Sequence, residues 1–270
     1  MTTPRGVQAV RRVLAVGVNT YREAVRNRAF VGLLVFAVAF ILFSLVMSEL
    51  TVVGQGPRVV QNVGFFAIGL FGVITAVVMG ALLVYKELEQ KTIYTIVSKP
   101  IRRFEVVLGK YVGLLGILVI QLVCLGAVWA LAMALQGVTP GLEHLKGWSL
   151  ILVEVAVVAA SAVMFSAWTS PVLTGLFSLG VFAVGRVLYL LEEMLGQNRG
   201  WFVDNPVARG LGETVVIIFP DLSIFDVSQQ VLLQVPVEWG YLLHAALYGL
   251  GYVVVGLCLG MLAFERRDFV

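Results

Sequence analysis

Residues 86–110 read KELEQKTIYTIVSKPIRRFEVVLGK, and this polar stretch separates two long apolar runs of the chain. It contains six basic residues and three acidic ones. Charged side chains avoid the hydrocarbon core of a membrane, so the stretch divides the chain into separate spans. It is either a plain connecting loop or a surface on which a soluble protein docks.

The composition indicates an all-α polytopic membrane protein. Of the 270 residues, 60% are hydrophobic and 13% are charged, and the mean hydropathy is +0.96. Soluble domains are only about half apolar and about a quarter charged. A helix needs about 20 apolar residues to cross about 30 Å of hydrocarbon. Residues 29–264 are therefore predicted to form one membrane domain, with six spans near 29–48, 63–85, 107–135, 148–169, 172–191 and 241–264.

The basic residues predict which side of the membrane each connection faces. An even number of spans places both termini on one side, together with the connection after the second span, residues 86–106 (the 86–106 loop). Counted over residues 1–28, 86–110 and 265–270, that side has 14 of the 19 lysines and arginines, four lie on the other side, and Arg186 lies within a span. Because basic residues are enriched in cytoplasmic connections, the 86–106 loop, the N terminus and the 265–270 tail are expected in the cytoplasm.

Residues 1–28 are predicted to form an amphipathic helix rather than a span. Apolar residues recur at helical spacing from Val7 to Val25 and form one stripe, and Arg12, Arg22 and Arg26 lie to one side of it. This pattern is typical of a helix in the plane of the cytoplasmic interface, with its stripe in lipid and its arginines among headgroups. A basic leader that only sets the topology would carry the same charges.

Glu154 and Arg186 are the acid and the arginine that lie well inside the spans. The short connection at residues 169–171 leaves room only for a tight turn, and the two charged residues lie at mirror positions about it. Because an unpaired charge in a membrane costs at least about 2.5–3.5 kcal/mol, an ion pair between them is expected. Such a pair either pins the hairpin or forms a polar point in a transport pathway.

Residues 192–240 (the 192–240 segment) are predicted to form a long acidic connection outside the membrane. Asn205 and Pro206 resemble a helix cap followed by a first-turn proline, and Asp226 is placed to cap a second short helix. The apolar run Val215–Phe219 is too short to span. Two short helices on the outer leaflet, or dipping into it, are therefore expected. The acidic surface is a candidate contact for a periplasmic or extracellular partner.

The sequence contains no motif for catalysis or cofactor binding. A phosphate loop of the GxxxxGK[ST] type is absent, so the chain is not expected to bind or hydrolyse ATP itself. His144 and His244 lack metal-ligand spacing, and Cys124 and Cys258 lie in apolar runs as small hydrophobic residues. We therefore expect no catalytic residue, metal or cofactor in this chain, and no nucleic-acid partner.

The polar stretch resembles the connection after the second span in type-2 ABC transporter permeases. The residues that carry this resemblance are Glu87 with Thr92, the run Ile96–Ile101 (IVSKPI) with Arg103, and Gly109-Lys110. The chain end Phe264–Phe269 resembles the short tail of that family. Phe219–Leu222, with Phe225 and Asp226, resembles a stretch in the branch that includes the permease associated with nitrous-oxide-reductase maturation. The metal or sulfur chemistry of that relative is not carried over, because no ligands are present.

The resemblance implies the permease subunit of an ATP-driven exporter in the cytoplasmic (inner) membrane. In that family two permease chains pair, here expected as a homodimer, and each binds a separate cytoplasmic ATPase that holds ATP and Mg²⁺. The residues at the positions of the family's ATPase-contacting motif are Glu87, Glu89, Thr92, Lys99, Pro100 and Arg103. Anchoring at the membrane interface is assigned to Arg12, Arg22, Arg26, Arg102 and Lys110.

Two other functions remain open at this point. A membrane subunit could anchor or scaffold a larger envelope complex without transporting anything. A secondary transporter or channel is disfavoured, because the first three spans contain no internal carboxylate that would bind a coupling ion. The transported substrate is not encoded in any recognisable motif.

Overall fold

The computed structural model of the protein describes residues 5–52, 54–89, 103–197 and 205–266. Every regular element in these residues is helical. A short 3₁₀ turn, Ser223–Phe225, accompanies the α-helices. These are α1 (Arg5–Val25), α2 (Arg28–Glu49), α3 (Gly56–Glu89), α4 (Arg103–Leu135), α5 (Leu142–Ser166), α6 (Pro171–Gly196), α7 (Pro206–Ile218), α8 (Ser228–Leu232) and α9 (Trp239–Arg266).

Six helices are long and apolar enough to cross a membrane, namely α2, α3, α4, α5, α6 and α9. The protein is therefore an all-α polytopic membrane protein, as its composition predicts. On one side of the bundle the end of α2 meets the end of α4, where Gln136 Nε2 donates to Ser48 Oγ at 2.7 Å. We call this the distal side. The opposite side, where α3 ends and α4 begins, is the proximal side.

The spans extend further than the apolar runs that predict them. The predicted bounds stop at the first polar residues, but a helix continues as long as its polar groups find partners. At the start of α5 the Lys146 ammonium donates to Glu143 Oε1 at 2.8 Å and to the Val237 carbonyl oxygen at 2.6 Å. The three largest differences are that α3 begins at Gly56 rather than near 63, α5 begins at Leu142 rather than near 148, and α6 ends at Gly196 rather than near 191.

Two spans, α3 and α5, form the buried centre of the bundle. α5 contacts α3, α4, α6 and α9. Its polar neighbours are paired across helices, because lipid offers no alternative hydrogen-bond partner. The Tyr111 hydroxyl of α4 donates to the Ala156 carbonyl oxygen at 3.1 Å, and Gln121 Nε2 of α4 donates to Thr75 Oγ1 of α3 at 3.0 Å. Backbone and side-chain bonds thus join three spans in the core.

α1 packs along the first turns of α4 through glycines. A Cβ atom at Gly113 would lie 2.5 Å from the Gly17 carbonyl oxygen and 2.7 Å from Thr20 Cβ. One turn earlier, a Cβ atom at Gly109 would lie 2.6 Å from Val16 Cβ. Glycines four positions apart let two helix backbones approach this closely. The crossing therefore depends on the Gly109–Gly113 pair of α4.

Besides the predicted apolar stripe and the arginine face, α1 has a buried face that the hydrophobic pattern does not predict. The predicted stripe stays exposed, with Val10 60% exposed and Leu14 exposed as well. The buried face is formed by Gly17, Thr20 and Ala24. These small residues also recur at helical spacing, but the larger aliphatic residues of the stripe dominate the hydrophobic pattern. The arginines occupy the remaining polar face.

The 192–240 segment contains the predicted pair of short helices and enters the bundle from the distal side. α7 and the following 3₁₀ turn with α8 are bent by 47° relative to each other. The connection between them reaches α6, where the Leu222 N–H donates to the Gly185 carbonyl oxygen at 3.0 Å. Gly185 lies about 16 Å along α6 from its distal end. A Cβ atom there would lie 2.6 Å from the Pro220 carbonyl oxygen, so this approach requires glycine.

Tyrosines of α9 bind the backbone of this re-entrant connection. An unpaired N–H or C=O group costs several kcal/mol in hydrocarbon, so each such group needs a partner. The tyrosine hydroxyls supply these partners within the bundle. The bonds join Tyr248 Oη to the Asp221 N–H (2.8 Å), Tyr252 Oη to the Phe219 carbonyl oxygen (3.4 Å) and Tyr241 Oη to the Ile224 carbonyl oxygen.

Replacing Gly113 by alanine is expected to destabilise the protein, because the added Cβ atom would overlap the Gly17 carbonyl oxygen. Overpacking of this kind costs about 1–3 kcal/mol. Gly116→Ala on the same helix is the matched control, since a Cβ atom there meets only Tyr21 Cδ2 at 3.7 Å. The thermal unfolding midpoint in detergent measures both variants. Equal midpoints would show that α1 does not pack on α4 in this way.

Candidate functional site

The predicted coupling residues lie where α3 ends and α4 begins. Glu87 and Glu89 belong to the last turn of α3, and Arg103 is the first residue of α4. The apolar span of α3 ends at Leu82, and the helix continues for about 10 Å beyond it. α3 therefore carries the start of the 86–106 loop beyond the apolar span on the proximal side. Four predicted residues lie outside the described part of the chain: Thr92, Lys99, Pro100 and Arg102.

The predicted anchoring residues have different surroundings. Arg12 Nη1 of α1 lies 3.5 Å from Glu105 Oε2 of α4, and Glu105 is buried. Lys110 is only 4% exposed. Arg22, on α1, and Arg26, directly after it, are by contrast exposed. Arg12 therefore joins α1 to the start of α4, whereas Arg22 and Arg26 are accessible at the surface.

Glu154 and Arg186 lie together, at the depth that the hairpin predicts. Arg186 Nε lies 2.8 Å from Glu154 Oε1, and Arg186 Nη2 donates to Glu154 Oε2 at 3.0 Å. Glu154 is fully buried, midway along α5. The third guanidinium nitrogen, Nη1, donates to Asp226 Oδ2 at 2.6 Å. One arginine of α6 thus joins α5 to the 192–240 segment.

Asp226 accepts hydrogen bonds from both Arg186 and Ser228. Its Oδ1 accepts hydrogen bonds from the N–H and the hydroxyl of Ser228, at the start of α8, at 3.1 Å and 2.6 Å. The Ser228 hydroxyl and the Arg186 guanidinium both donate to this carboxylate, and such bonds stabilise its ionised form. Two carboxyl groups, of Glu154 and Asp226, share one guanidinium.

Arg186 and Asp226 line a cleft of about 400 Å³ between α3, α5, α6 and the 192–240 segment. This volume lies within the usual range of small-molecule sites, about 300–1,000 Å³. The side chains of Arg186 and Asp226 are 29% and 42% exposed, so both charged groups are accessible from the cleft. The remaining lining is largely aromatic, with some polar groups: Phe65, Phe66, Leu70, Phe182, Phe225, Asn62, Ser228 and Gln229 among others.

Asp226 is the residue of this cluster that sequence reasoning missed as a partner of Arg186. The sequence predicts that Asp226 caps the second short helix, but the N-cap of α8 is Val227; Asp226 precedes it, and its Oδ1 accepts from the Ser228 N–H. The signal for this depth is the apolar run Val215–Phe219, which is too short to span and ends at Pro220. In the structure the chain turns back after this run, and Asp226 then lies within hydrogen-bond distance of Arg186 in the α6 span.

These features define the class of the protein, a helical membrane domain in which α3 extends beyond its apolar span on the proximal side and a charged cluster joins α5, α6 and the 192–240 segment. In the part of the chain that the structure describes, no group of three or more His, Cys, Asp or Glu residues is placed to hold a metal ion. The chain matches the family described as ABC-2 family transporter protein over residues 14–269, and it belongs to this family. It is thus a membrane-spanning permease subunit of an ABC transporter. No curated protein is significantly similar to the chain.

Replacing Arg186 by glutamine is expected to lower stability strongly, because it leaves the buried Glu154 carboxylate without a counter-charge. Breaking a buried ion pair in this way costs about 3–5 kcal/mol. The double variant Glu154→Gln/Arg186→Gln should recover much of the loss, since no buried charge remains. Thermal unfolding in detergent compares the variants. A double variant less stable than Arg186→Gln alone would contradict this role of the pair.

Proposed function

We propose that the protein is the permease subunit of an ATP-driven ABC exporter and that it works as a homodimer. Each copy is coupled through the 86–106 loop to a separate cytoplasmic ATPase, which binds ATP and Mg²⁺, while this chain itself catalyses no reaction. The observation that carries the proposal is the family match over residues 14–269, together with six helices able to span a membrane.

The geometry of the proximal side supports coupling through the 86–106 loop. α3 extends beyond its apolar span into the start of the loop, and α4 begins at Arg103, within the end of the loop. α1 touches the backbone of α4 at Gly113, and Arg12 pairs with Glu105. A push on the loop would therefore move α1 and the start of α4 as one body. α3 would transmit the same push to the buried centre of the bundle, because it packs against α5.

The orientation belongs to the same proposal. The excess of basic residues on the proximal side favours the cytoplasm for that side, with both termini there, in a multi-pass inner-membrane protein. Arg22 and Arg26 are then placed to contact lipid headgroups, and the exposed stripe of α1 to contact lipid. The cleft beside Arg186 then opens from the external half of the bundle. The stretch Phe219–Leu222 supports a place in the branch that includes the nitrous-oxide-reductase maturation permease.

Replacing Glu87–Ser98 by a Gly/Ser linker of equal length is expected to abolish co-purification with the partner ATPase and stimulation of its ATP hydrolysis. The linker removes the charged side chains and the helical start of the loop that we assign to contact. A Gly/Ser replacement of residues 137–140 in the distal loop serves as the control and should leave both readouts intact. Unchanged binding and stimulation in the first variant would exclude the 86–106 loop as the coupling element. A scaffold subunit would bind a partner without stimulating ATP hydrolysis.

Single cysteines test the orientation. In a chain with Cys124 and Cys258 replaced by serine, Thr139→Cys in the distal loop should react with a membrane-impermeant maleimide on intact cells. Gln8→Cys in α1 should react only after permeabilisation. Both positions are exposed, so a lack of labelling reports the side of the membrane rather than burial. The reverse pattern would place the termini outside.

A further inference from the structure

The charged cluster in the cleft has more negative than positive charge. Glu154 and Asp226 supply two carboxylates, and Arg186 supplies one guanidinium, which gives a formal charge of −1. Arg186 lies about 15 Å along α6 from its distal end, well below the end of the span. In the described residues that line the cleft, Arg186 and Asp226 are the charged ones. An uncompensated charge at such a depth is costly, and a cation in the cleft would offset it.

The uncompensated charge is accessible from the cleft. Glu154 is fully buried behind Arg186 and uses two guanidinium nitrogens, so these two residues neutralise each other. Asp226 is then the carboxylate in excess, and its side chain is 42% exposed. All three guanidinium nitrogens already contact carboxylate oxygens, so an anionic ligand would have to share the guanidinium with them and would be repelled by the adjacent Asp226 carboxylate. A cationic ligand would meet complementary charge.

Aromatic rings form the apolar wall of the cleft. Phe65, Phe66 and Phe182 belong to this wall, and the Arg186 guanidinium already lies 5.8 Å from the centre of the Phe182 ring. Aromatic faces attract cations, most strongly where water is excluded. The cleft therefore combines an apolar, ring-lined wall with an exposed carboxylate. This combination suits a molecule that has both an apolar body and a positive charge.

We propose that the cleft binds an amphiphilic organic cation, with the apolar body against the phenylalanines and the cationic centre near Asp226. That such a cation is the transported substrate rests on the proposed exporter function. That it binds in the cleft requires only the permease chain. Binding is therefore measured without ATPase or ATP, so that failure of the site and failure of coupling are separate results.

Tetraphenylphosphonium and tetraphenylborate are the probes, because they have the same shape and opposite charge. Equilibrium binding is measured with the full chain in lipid nanodiscs, and empty nanodiscs correct for partition into lipid. We expect saturable binding of tetraphenylphosphonium at one site per chain and no saturable binding of tetraphenylborate. Tetramethylammonium, which lacks the apolar body, should bind at least about tenfold more weakly than tetraphenylphosphonium, a difference of about 1.4 kcal/mol.

Asp226→Asn tests the carboxylate, and Phe66→Ala tests the wall. Asp226→Asn retains the shape of the side chain and should weaken tetraphenylphosphonium binding about tenfold or more. Phe66, which is exposed in the cleft, should contribute about threefold. Glu213→Gln is the matched control, because it removes one negative charge from the same segment at a side chain that is 55% exposed and pairs with Arg209 on α7. It should leave the affinity unchanged.

Several results would overturn the inference. These are equal binding of the two tetraphenyl ions, no saturable binding of tetraphenylphosphonium, or equal affinities of Asp226→Asn and Glu213→Gln. Thermal unfolding verifies that the variants are folded. If Asp226→Asn unfolds, Phe66→Ala still decides, since unchanged affinity in that variant would exclude the cleft as the site.

Discussion

The ion pair between Arg186 and Glu154 is the contact on which the distal half of the protein depends. A carboxylate midway along a buried span must be paired, and the guanidinium that pairs with it also binds Asp226. The 192–240 segment is thereby drawn to the depth of Gly185, where only a glycine leaves space for the backbone. The cleft, its aromatic wall and its charged lining all follow from this one arrangement.

The proximal half depends on contact between backbones rather than on charge. Gly109 and Gly113 allow α1 to lie directly on α4, and the Arg12–Glu105 pair fixes the start of that contact. The two halves are joined by the buried pair of α3 and α5, because α3 continues toward the 86–106 loop and α5 contains Glu154. A displacement at the proximal side thus has a continuous packed route to the charged cluster. This route supports the coupling proposed above.

The sequence predicts the six spans well, because long apolar runs have few other stable structures. It also predicts that Glu154 and Arg186 share a depth, since the turn at residues 169–171 is too short for any other arrangement. It predicts the buried face of α1 poorly, because glycine and threonine contribute little to a hydrophobic pattern. It does not predict that the 192–240 segment reaches the level of Gly185, since that depth is set by tertiary contacts of Gly185 and Asp226. The start of α5 is missed for a similar reason, because the partner of Lys146, Val237, is distant in sequence.

The tyrosines that bind the re-entrant connection have a consequence for biosynthesis. Tyr241, Tyr248 and Tyr252 belong to α9, which leaves the ribosome after the connection that they stabilise. Until α9 is made, the Asp221 N–H and the carbonyl oxygens of Phe219 and Ile224 have no tyrosine hydroxyl to bind within the hydrocarbon. We therefore expect the connection to enter the bundle together with the last span. Insertion of α9 is the step that completes the distal half and closes the assembly of this membrane domain.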